Sequence, residues 1–252
     1  MRRILSLAIA LTLFQPLARA RTLENVQKSG TLIVATNGTF APFSYYEKLK
    51  LSGFEIDLIE ALASELKVKV EWKIIPFDNT LIGLNQNRYD LVIASHGITD
   101  ERAKIVEFTK PYYCSSAVIM SRQGGPRART ELRGKALGAQ VGTTYINYLK
   151  AIEGHGEIKT FKSETDTLMA LSGGRVEAMI GDRVAALVLL KSRPELKLQI
   201  GETLLVEHIA MAIQKGNTSL VEAINKSLQT LQKNGTYTKI STKYFGEDIR
   251  CK

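Results

Sequence analysis

The sequence lacks the short motifs that identify many enzymes. It has no HExxH zinc signature, no GxSxG nucleophile turn, no Walker A phosphate loop and no GxGxxG dinucleotide turn. These absences argue against metalloproteases, α/β-hydrolases, P-loop NTPases and dinucleotide-dependent dehydrogenases. We therefore expect no catalytic residue, no cofactor and no metal site.

Long hydrophobic runs are also scarce. The apolar run Ile4–Phe14 follows Arg2 and Arg3 and precedes a small-x-small site, Ala18-Arg19-Ala20. Since a membrane crossing needs roughly 20 apolar residues, this pattern predicts a signal peptide over residues 1–20, cleaved after Ala20. A retained anchor is the alternative. The residue directly after the cleavage site is Arg21 and not a cysteine, so we expect no lipid anchor and a soluble, exported protein.

Cysteine is rare, with two residues in the chain, Cys114 and Cys251. Their spacing fits neither a metal site nor a CxxC redox pair. Two cysteines in an oxidising compartment often pair. The alternatives are a Cys114–Cys251 disulfide, which would tie the tail to the middle of the chain, and two separate thiols.

Charge is plentiful and mainly positive, with a formal net value of +9. Removal of three arginines with the signal peptide (9 − 3) leaves about +6. The basic residues are scattered and form no stripe with aromatic residues, so we expect no nucleic-acid partner. A positive surface suits an anionic membrane surface or long-range attraction of anionic ligands.

Strand and helix patterns alternate through the first half of the mature chain. Leu32–Thr36 is a short apolar run typical of a buried strand. Apolar residues recur at helical spacing over 54–66, which predicts an amphipathic helix. Apolar and charged residues alternate over 68–74, which predicts a strand with one solvent-exposed face. Asp90–Ser95 is another apolar strand, and Thr99 can cap the next helix. This βαβ rhythm predicts a mostly parallel sheet with ligand groups at the carboxyl ends of its strands.

A second α/β unit follows Tyr113. We predict strands for this unit and for the tail at Ala136–Gln140, Ala178–Ile180 and Glu207–Ile213. We predict helices from Thr143 onward, at Glu164–Leu171 and at Leu220–Gln232, the last of which stops at Gly235.

Five segments carry a more specific signal. They are LIVATNGTFAPFSY (Leu32–Tyr45), SGFEIDLIEALASEL (Ser52–Leu66), RYDLVIASHGITDERAKIVEFTKPYY (Arg88–Tyr113), GAQVGTTYINYL (Gly138–Leu149) and RVEAMIGDRVAA (Arg175–Ala186). In order and spacing they resemble the periplasmic polar-amino-acid-binding proteins of ABC importers, family 3 of the bacterial extracellular solute-binding proteins. The resemblance covers nearly the whole chain after residue 22.

The resemblance implies the type II periplasmic-binding-protein fold, an α/β architecture of two lobes. Each lobe is expected to be a mostly parallel sheet flanked by helices, and a two-strand hinge joins them. Since the chain of such proteins crosses twice between lobes, we expect lobe 1 to comprise residues 21–113 plus 208–252 and lobe 2 residues 114–207.

Two charged residues are the main candidates for holding an amino acid. Arg102 follows a strand end in the first turn of a helix, where its guanidinium could grip a carboxylate with two parallel hydrogen bonds. Alone, such an arginine is most often a solvated surface charge, but the ASHGITDER segment resembles the family's carboxylate anchor. Asp182 ends a strand, where a helix cap would explain it. The matching family position accepts the ligand's α-ammonium.

Further candidates are expected around that pair. Phe40 and Phe77, both predicted on loops after strands, could cover the ligand side chain or belong to the core. Hydroxyl, amide or backbone contacts are expected from Ser95, Gly97, Thr99, Gln140, Thr143, Thr144 and Asn37. His96 is either a specificity residue or a packed neutral imidazole.

Several positions depart from the family's common pattern. Ala94 and Gly97 replace hydroxyl residues, and Gly181 leaves more room beside Asp182. Asn37 stands where binders of cationic amino acids often carry an aspartate, which weakens a lysine- or arginine-specific interpretation without excluding it. His208 replaces a small residue and has no assigned role.

The resemblance predicts a monomeric periplasmic protein that captures a free L-amino acid and delivers it to the membrane permease subunits of an ABC importer. Glutamine, cystine, acidic amino acids and arginine all remain open as ligands. The rival is a periplasmic dehydratase of the same fold, similar to cyclohexadienyl dehydratase. Such an enzyme needs a cleft carboxylic acid beyond the one that holds an ammonium, and the sequence reveals no second acid of this kind. A role as a sensor or adhesin is a third possibility.

Overall fold

The computed structural model describes residues 20–251. The predicted signal peptide therefore lies outside the described residues, apart from Ala20. The helices of the described part are α1 Leu23–Ser29, α2 Phe54–Glu65, α3 Phe77–Asn85, α4 Asp100–Ile105, α5 Thr144–Lys150, α6 Glu164–Ser172, α7 Arg183–Ser192, α8 Thr218–Lys233 and α9 Thr236–Phe245. Short 3₁₀ turns occupy Arg129–Leu132 and Pro194–Leu196.

The strands form one extended sheet and a small three-stranded sheet. They are β1 Thr31–Thr36, β2 Thr39–Phe40, β3 Ser44–Glu47, β4 Lys50–Ser52, β5 Lys69–Ile74, β6 Leu91–Gly97, β7 Val106–Phe108, β8 Tyr113–Arg122, β9 Leu137–Gln140, β10 Ile158–Phe161, β11 Ala178–Asp182 and β12 Leu198–Gln214. The large sheet has the order β10-β9-β11-β8-β12-β6-β1-β5, with β7 paired to β12, and the small sheet is β2-β3-β4.

Two parallel units stand at the ends of the large sheet. Strands β5, β1 and β6 are mutually parallel and form the centre of the first lobe. Strands β10, β9 and β11 are likewise parallel and form the centre of the second lobe. This confirms the predicted two-lobed α/β fold, because crossover helices pack on parallel strands in both halves.

The antiparallel strands β8 and β12 connect the lobes. β12 pairs with β8 along its first part and with β6 and β7 at its end, so one long strand passes from the second lobe into the first. Cys114 and His208, which we predict as crossing points, are register partners in this ribbon. The exact division into residues 21–113 plus 208–252 and 114–207 stays a prediction.

Each lobe has its own hydrophobic core. In the first lobe, fully buried Val34, Phe54 and Leu58 pack with residues of α8 and α9, so the carboxyl-terminal helices return to this lobe. In the second lobe, Ile119, Leu137 and Ile180 pack beneath α5. Separate cores allow the lobes to move as rigid bodies about the ribbon.

A disulfide joins Cys114 to Cys251 across 137 positions of sequence. The pairing alternative is thus the correct one, and the chain end is fixed to the start of β8. Among residues 20–251, no helix combines the length and apolar character that a membrane crossing requires.

Two sequence predictions need correction. Phe77 was predicted on a loop, but it begins α3 directly after Pro76, because proline before a helix fixes an extended entry without losing a needed N–H. Phe40 was likewise predicted on a loop, but it ends the short strand β2. Gly235 follows the end of α8 as predicted, and α9 starts one residue later. Its left-handed φ of 82° turns the chain between α8 and α9.

Candidate functional site

A cleft lies between the lobes, against the β8–β12 ribbon. The predicted ligand-binding residues that line it are Asn37, Phe40, Phe77, Ser95, Gly97, Arg102, Gln140, Thr143, Thr144 and Asp182. Lining residues that sequence reasoning did not select are Ala94, Tyr113, Tyr145, Glu164, Glu207 and Ile209. The strand ends of both lobes thus open into one space, as parallel sheets dictate.

Arg102 spans the mouth between the lobes. The Thr99 side chain caps α4 by accepting a hydrogen bond from the Arg102 backbone N–H at 3.1 Å, which fixes where the arginine emerges. Its Nη1 donates to the Gly97 carbonyl at 2.8 Å, and its Nη2 donates to the Gly142 carbonyl of the second lobe at 2.9 Å. The guanidinium is therefore held at the cleft by carbonyls of both lobes, with donors of the kind that bind a carboxylate.

Asp182 faces Arg102 from the second lobe and is almost fully buried. Its Oδ1 caps α7 by accepting from the Ala185 N–H at 2.9 Å. Its Oδ2 is 3.5 Å from the Tyr113 hydroxyl, a long and weak contact. Burial raises the pKa of Asp182 to about 6, although the cap hydrogen bond opposes this. The helix-cap role is therefore real and leaves the second oxygen available to a cation.

Two glutamates that line the cleft were not predicted from the sequence. Glu207 on β12 is 8 % exposed, and its Oε1 accepts from the Thr144 hydroxyl at 2.7 Å. Glu164 is the first residue of α6, and no described residue donates a hydrogen bond to it or forms an ion pair with it. Burial, and then the charge of Asp182, raise the pKa of Glu164 to about 8. The sequence revealed no second acid for the cleft, whereas the structure has Glu164 and Glu207 there.

Local sequence explains why both glutamates were missed. A glutamate in the first turn of a helix usually complements the helix dipole, and one in an alternating strand usually faces water. The available signal was the pair of glycines that depart from the family pattern. A Cβ on Gly97 would lie 2.9 Å from Glu207 Oε1, and a Cβ on Gly181 would lie 3.1 Å from Glu164 Oε1.

The predicted aromatic residues line the cleft and pack on other rings. Phe40 stacks on Phe43 with centroids 5.1 Å apart, and Phe43 stacks on Tyr113 at 4.8 Å. Phe77 stacks on His96 at 4.3 Å. Both rings thus line the cleft and stack on a neighbouring ring, and their role in covering a ligand side chain stays a prediction.

His96 and Thr99 do not line the cleft. His96 is 2 % exposed, and its Nε2 shares a hydrogen bond of 2.8 Å with the Thr80 hydroxyl. Burial, reinforced by nearby Arg102, lowers the pKa of His96 well below its ordinary value. Of the two alternatives, the packed neutral imidazole beneath Phe77 fits this geometry. The Thr99 hydroxyl is used as the cap of α4.

Several lining side chains are held by neighbours. Asn37 Oδ1 accepts from the Ser44 hydroxyl at 2.9 Å, and the Gln140 amide donates to the Lys162 carbonyl at 3.3 Å. The Thr143 hydroxyl donates to the Gln140 carbonyl at 2.7 Å. These bonds position polar atoms at the cleft before any ligand arrives, which lowers the entropic cost of binding.

Ser95 is held in place by hydrogen bonds to the buried carboxyl group of Glu55. Both the backbone N–H and the hydroxyl of Ser95 donate to Glu55 Oε1, at 2.7 and 2.8 Å, and the Tyr112 hydroxyl donates to the same oxygen. Burial raises the pKa of Glu55 to about 7, against the opposing effect of these donors. Because the Ser95 hydroxyl proton points to Glu55, its oxygen can offer only lone pairs to the cleft, which suits a ligand ammonium.

The two lobes touch at a second point besides Arg102. The Thr165 hydroxyl at the start of α6 donates to the Thr39 carbonyl of β2 at 3.2 Å. The structure therefore has the lobes closed on the cleft. Within the described residues, no three histidine, cysteine, aspartate or glutamate side chains converge in a way that could hold a metal ion.

Comparisons with known proteins agree with this architecture. The bacterial extracellular solute-binding proteins of family 3 match residues 32–247. The L-cystine-binding protein TcyJ of Escherichia coli (strain K12) is 33% identical over 231 residues, which cover 90% of this chain and 87% of that protein.

Two solved structures show the same fold. An ancestral arginine-binding protein bound to arginine is 38% identical with a TM-score of 0.82, over 86% of this chain and 99% of that one. An ancestral amino acid-binding protein described as a precursor of cyclohexadienyl dehydratase is 30% identical with a TM-score of 0.82, over 88% and 99% of the two chains.

Proposed function

The chain belongs to family 3 of the bacterial extracellular solute-binding proteins, and we propose that it captures an amino acid between its lobes for an ABC importer. One observation carries this proposal: Arg102 of the first lobe and Asp182 of the second lobe line the same cleft. A guanidinium and a carboxylate that face each other in this way match the two charges of an amino-acid zwitterion.

The cleft residues divide the work of binding. Arg102 exchanges its carbonyl partners for the ligand carboxylate, with two parallel charge-assisted hydrogen bonds. Asp182 and the lone pairs of Ser95 accept the α-ammonium. Phe40 and Phe77 cover the ligand side chain on either side. The carboxylate is thus bound by the first lobe, whereas the α-ammonium is bound by Ser95 of the first lobe together with Asp182 of the second.

This division makes binding a conformational event. A ligand that contacts Arg102 alone gains nothing from closure, whereas one that also contacts Asp182 stabilises the closed state. We expect the free protein to be mainly open, with the β8–β12 ribbon as the hinge. The lobes are then residues 21–113 plus 208–252 and residues 114–207.

The setting follows from the family. Its members are extracellular, and we propose that this protein acts in the periplasm as a monomer. The permease subunits of the importer are its partners, and the closed, loaded form is what they receive. The permease recognises a shape that differs from the open form only because the lobes have approached.

We also propose that the protein is not an enzyme. Glu164, with its pKa raised to about 8, could in principle supply the proton that a dehydratase of this fold needs. The described cleft, however, places that acid beside Asp182 and gives it no partner that would orient it for proton transfer. A binding role requires no such orientation, and the ligand should be recovered chemically unchanged.

The test is solution scattering with and without amino acids, on protein that has been unfolded and refolded to remove carried ligand. The radius of gyration should fall on binding, and mass spectrometry should recover the ligand intact. Asp182→Ala should lose binding and closure together. Asp182→Asn keeps an oxygen for the α7 cap but lacks the charge, so its loss of binding at unchanged melting temperature would assign the effect to the ammonium contact.

Two outcomes would contradict the proposal in different ways. A ligand that is consumed would point to the dehydratase. Closure that persists in Asp182→Ala would remove the two-lobe clamp while leaving amino-acid binding intact.

A further inference from the structure

Resting on the amino-acid-binding function above, we propose that the cleft selects amino acids whose side chain carries a second positive charge, and that Glu164 binds that charge. Glu207 adds to the same preference. The ligand class is thus a diamino or guanidino acid.

The balance of charges in the cleft is the first argument. Among the residues that line it, Arg102 is the cation, whereas Asp182, Glu164 and Glu207 are acids. A zwitterion pairs its carboxylate with Arg102 and its α-ammonium with Asp182. Glu207 keeps its hydrogen bond from the Thr144 hydroxyl, so Glu164 is the carboxylate that has no partner among the described residues of the closed cleft, where an unpaired carboxylate is costly. A second ligand cation removes that cost, and a neutral or acidic side chain does not.

The position of Glu164 is the second argument. Besides the main cleft it lines an adjoining pocket, whose walls include Leu168, Met179 and Leu189. Phe40 also borders both spaces. An aliphatic chain that leaves the zwitterion site beside Phe40 would therefore pass over apolar walls and bring its terminal cation to Glu164, which has no hydrogen-bond or ion-pair partner among residues 20–251.

The third argument is the room made for the two acids. Gly181 and Gly97 have no side chain where one would press on Glu164 Oε1 and Glu207 Oε1, respectively. A Cβ on Gly97 would lie 2.9 Å from Glu207 Oε1, and one on Gly181 would lie 2.8 Å from Met120 Sδ and 3.1 Å from Glu164 Oε1. Side chains at these two positions would therefore take space that Met120 and the two carboxylates now occupy. Asn37 lacks the charge expected of a binder of cationic amino acids, and the two glutamates supply it from another wall of the cleft.

The first test compares two ligands on the unmodified protein. Arginine and citrulline have nearly the same shape but differ in side-chain charge. Titration calorimetry on refolded protein should show arginine, lysine or ornithine binding at least about tenfold tighter than citrulline and glutamine, since buried charge pairs contribute that much or more.

A variant then assigns the preference to one residue. Glu164→Gln should reduce the ratio of arginine to citrulline affinity by about tenfold or more, while citrulline affinity stays nearly constant. Glu153→Gln removes the same charge from an exposed position of the second lobe and serves as the control, with an unchanged ratio. Circular dichroism and melting temperature verify that each variant is folded.

The outcomes separate the two proposals. If citrulline or glutamine binds as tightly as arginine, Glu164 acts as a protonated acid toward neutral ligands, and this inference is wrong while the amino-acid-binding function stands. If the arginine preference survives in Glu164→Gln, the residue assignment is wrong. If no amino acid binds the refolded protein, the proposed function itself fails.

Discussion

Replacing Arg102 with lysine tests the carboxylate anchor directly. In the structure the guanidinium donates to the Gly97 carbonyl and to the Gly142 carbonyl with different nitrogens, so the fork is spread across both lobes. A lysine ammonium is a single point on a flexible stem and cannot reproduce two parallel bonds to a carboxylate. The positive charge remains, so the variant isolates geometry from charge.

The expected loss follows from what the ligand carboxylate would miss. One of two charge-assisted hydrogen bonds disappears, and one carboxylate oxygen is left poorly satisfied in a closed cleft. Together these cost about 2–4 kcal/mol. In affinity this is a rise in Kd of about 30-fold to 900-fold. Burial lowers the pKa of Arg102, an effect that nearby Glu207 opposes, yet the guanidinium remains a cation.

Titration calorimetry with the amino acid that binds the wild type is the assay. Arg183→Lys is the matched control, because Arg183 is exposed although it directly follows Asp182. The control should bind like the wild type. Unchanged affinity in Arg102→Lys, with a normal melting temperature, would remove Arg102 from the site and with it the assignment of the first lobe to the ligand carboxylate.

Two further predictions concern stability. Exported protein should show no free thiol, and Cys251→Ser should lower the free energy of unfolding by about 3–5 kcal/mol because a long loop is released; quantitative alkylation of both cysteines without reductant would contradict the pairing. The pKa of Glu55 is raised to about 7 in the folded protein, so its stabilising protonated form is fully present below its ordinary pKa and is lost as pH rises through 7. Denaturant unfolding at pH 4 and pH 8 should show a loss of about 3 kcal/mol from this group, absent in Glu55→Gln; equal pH dependence in both proteins would refute the assignment.

The fold could be predicted largely because its signals are local. Apolar periodicity over 54–66 marks α2, and the cap at Thr99 marks α4, since each depends on residues within a few positions. Arg102 and Asp182 could be predicted for the same reason, because each follows a recognisable strand end. Sequence neighbours determine these features, so sequence patterns reveal them.

The two glutamates could not be predicted because their environment is tertiary. Glu207 lies on a strand whose alternating pattern predicts a solvent-exposed face. In the structure that face is buried in the cleft, and the Thr144 hydroxyl donates a hydrogen bond to the Glu207 carboxylate. Glu164 is desolvated by the same closure. His96 illustrates the reverse case: a polar residue near the ligand segment turns out to lie beneath Phe77. Which polar groups meet across a cleft depends on the packing of two lobes, which no local pattern records.

The acids of the cleft also give a physical reason why the free protein should stay open. In the closed arrangement the pKa of Glu164 is about 8 and that of Asp182 about 6, both above their ordinary values of 4.5 and 3.8. Closing without a ligand must therefore take up protons or bury charge. The closed form is most favoured when the pH is below the ordinary pKa values of these acids. The free-energy cost of closing increases as the pH rises and levels off above pH 8.

At pH 7 the cost from Glu164 alone is about 3 kcal/mol, enough to hold a two-state equilibrium mainly open. A ligand cation next to these carboxylates cancels the cost, so closure and selection have the same origin. Contacts to Arg102 and Asp182 determine that an amino acid closes the lobes. The negative charge of the cleft glutamates determines which amino acid closes the lobes most completely. A neutral side chain would leave part of the free-energy cost of closure uncompensated.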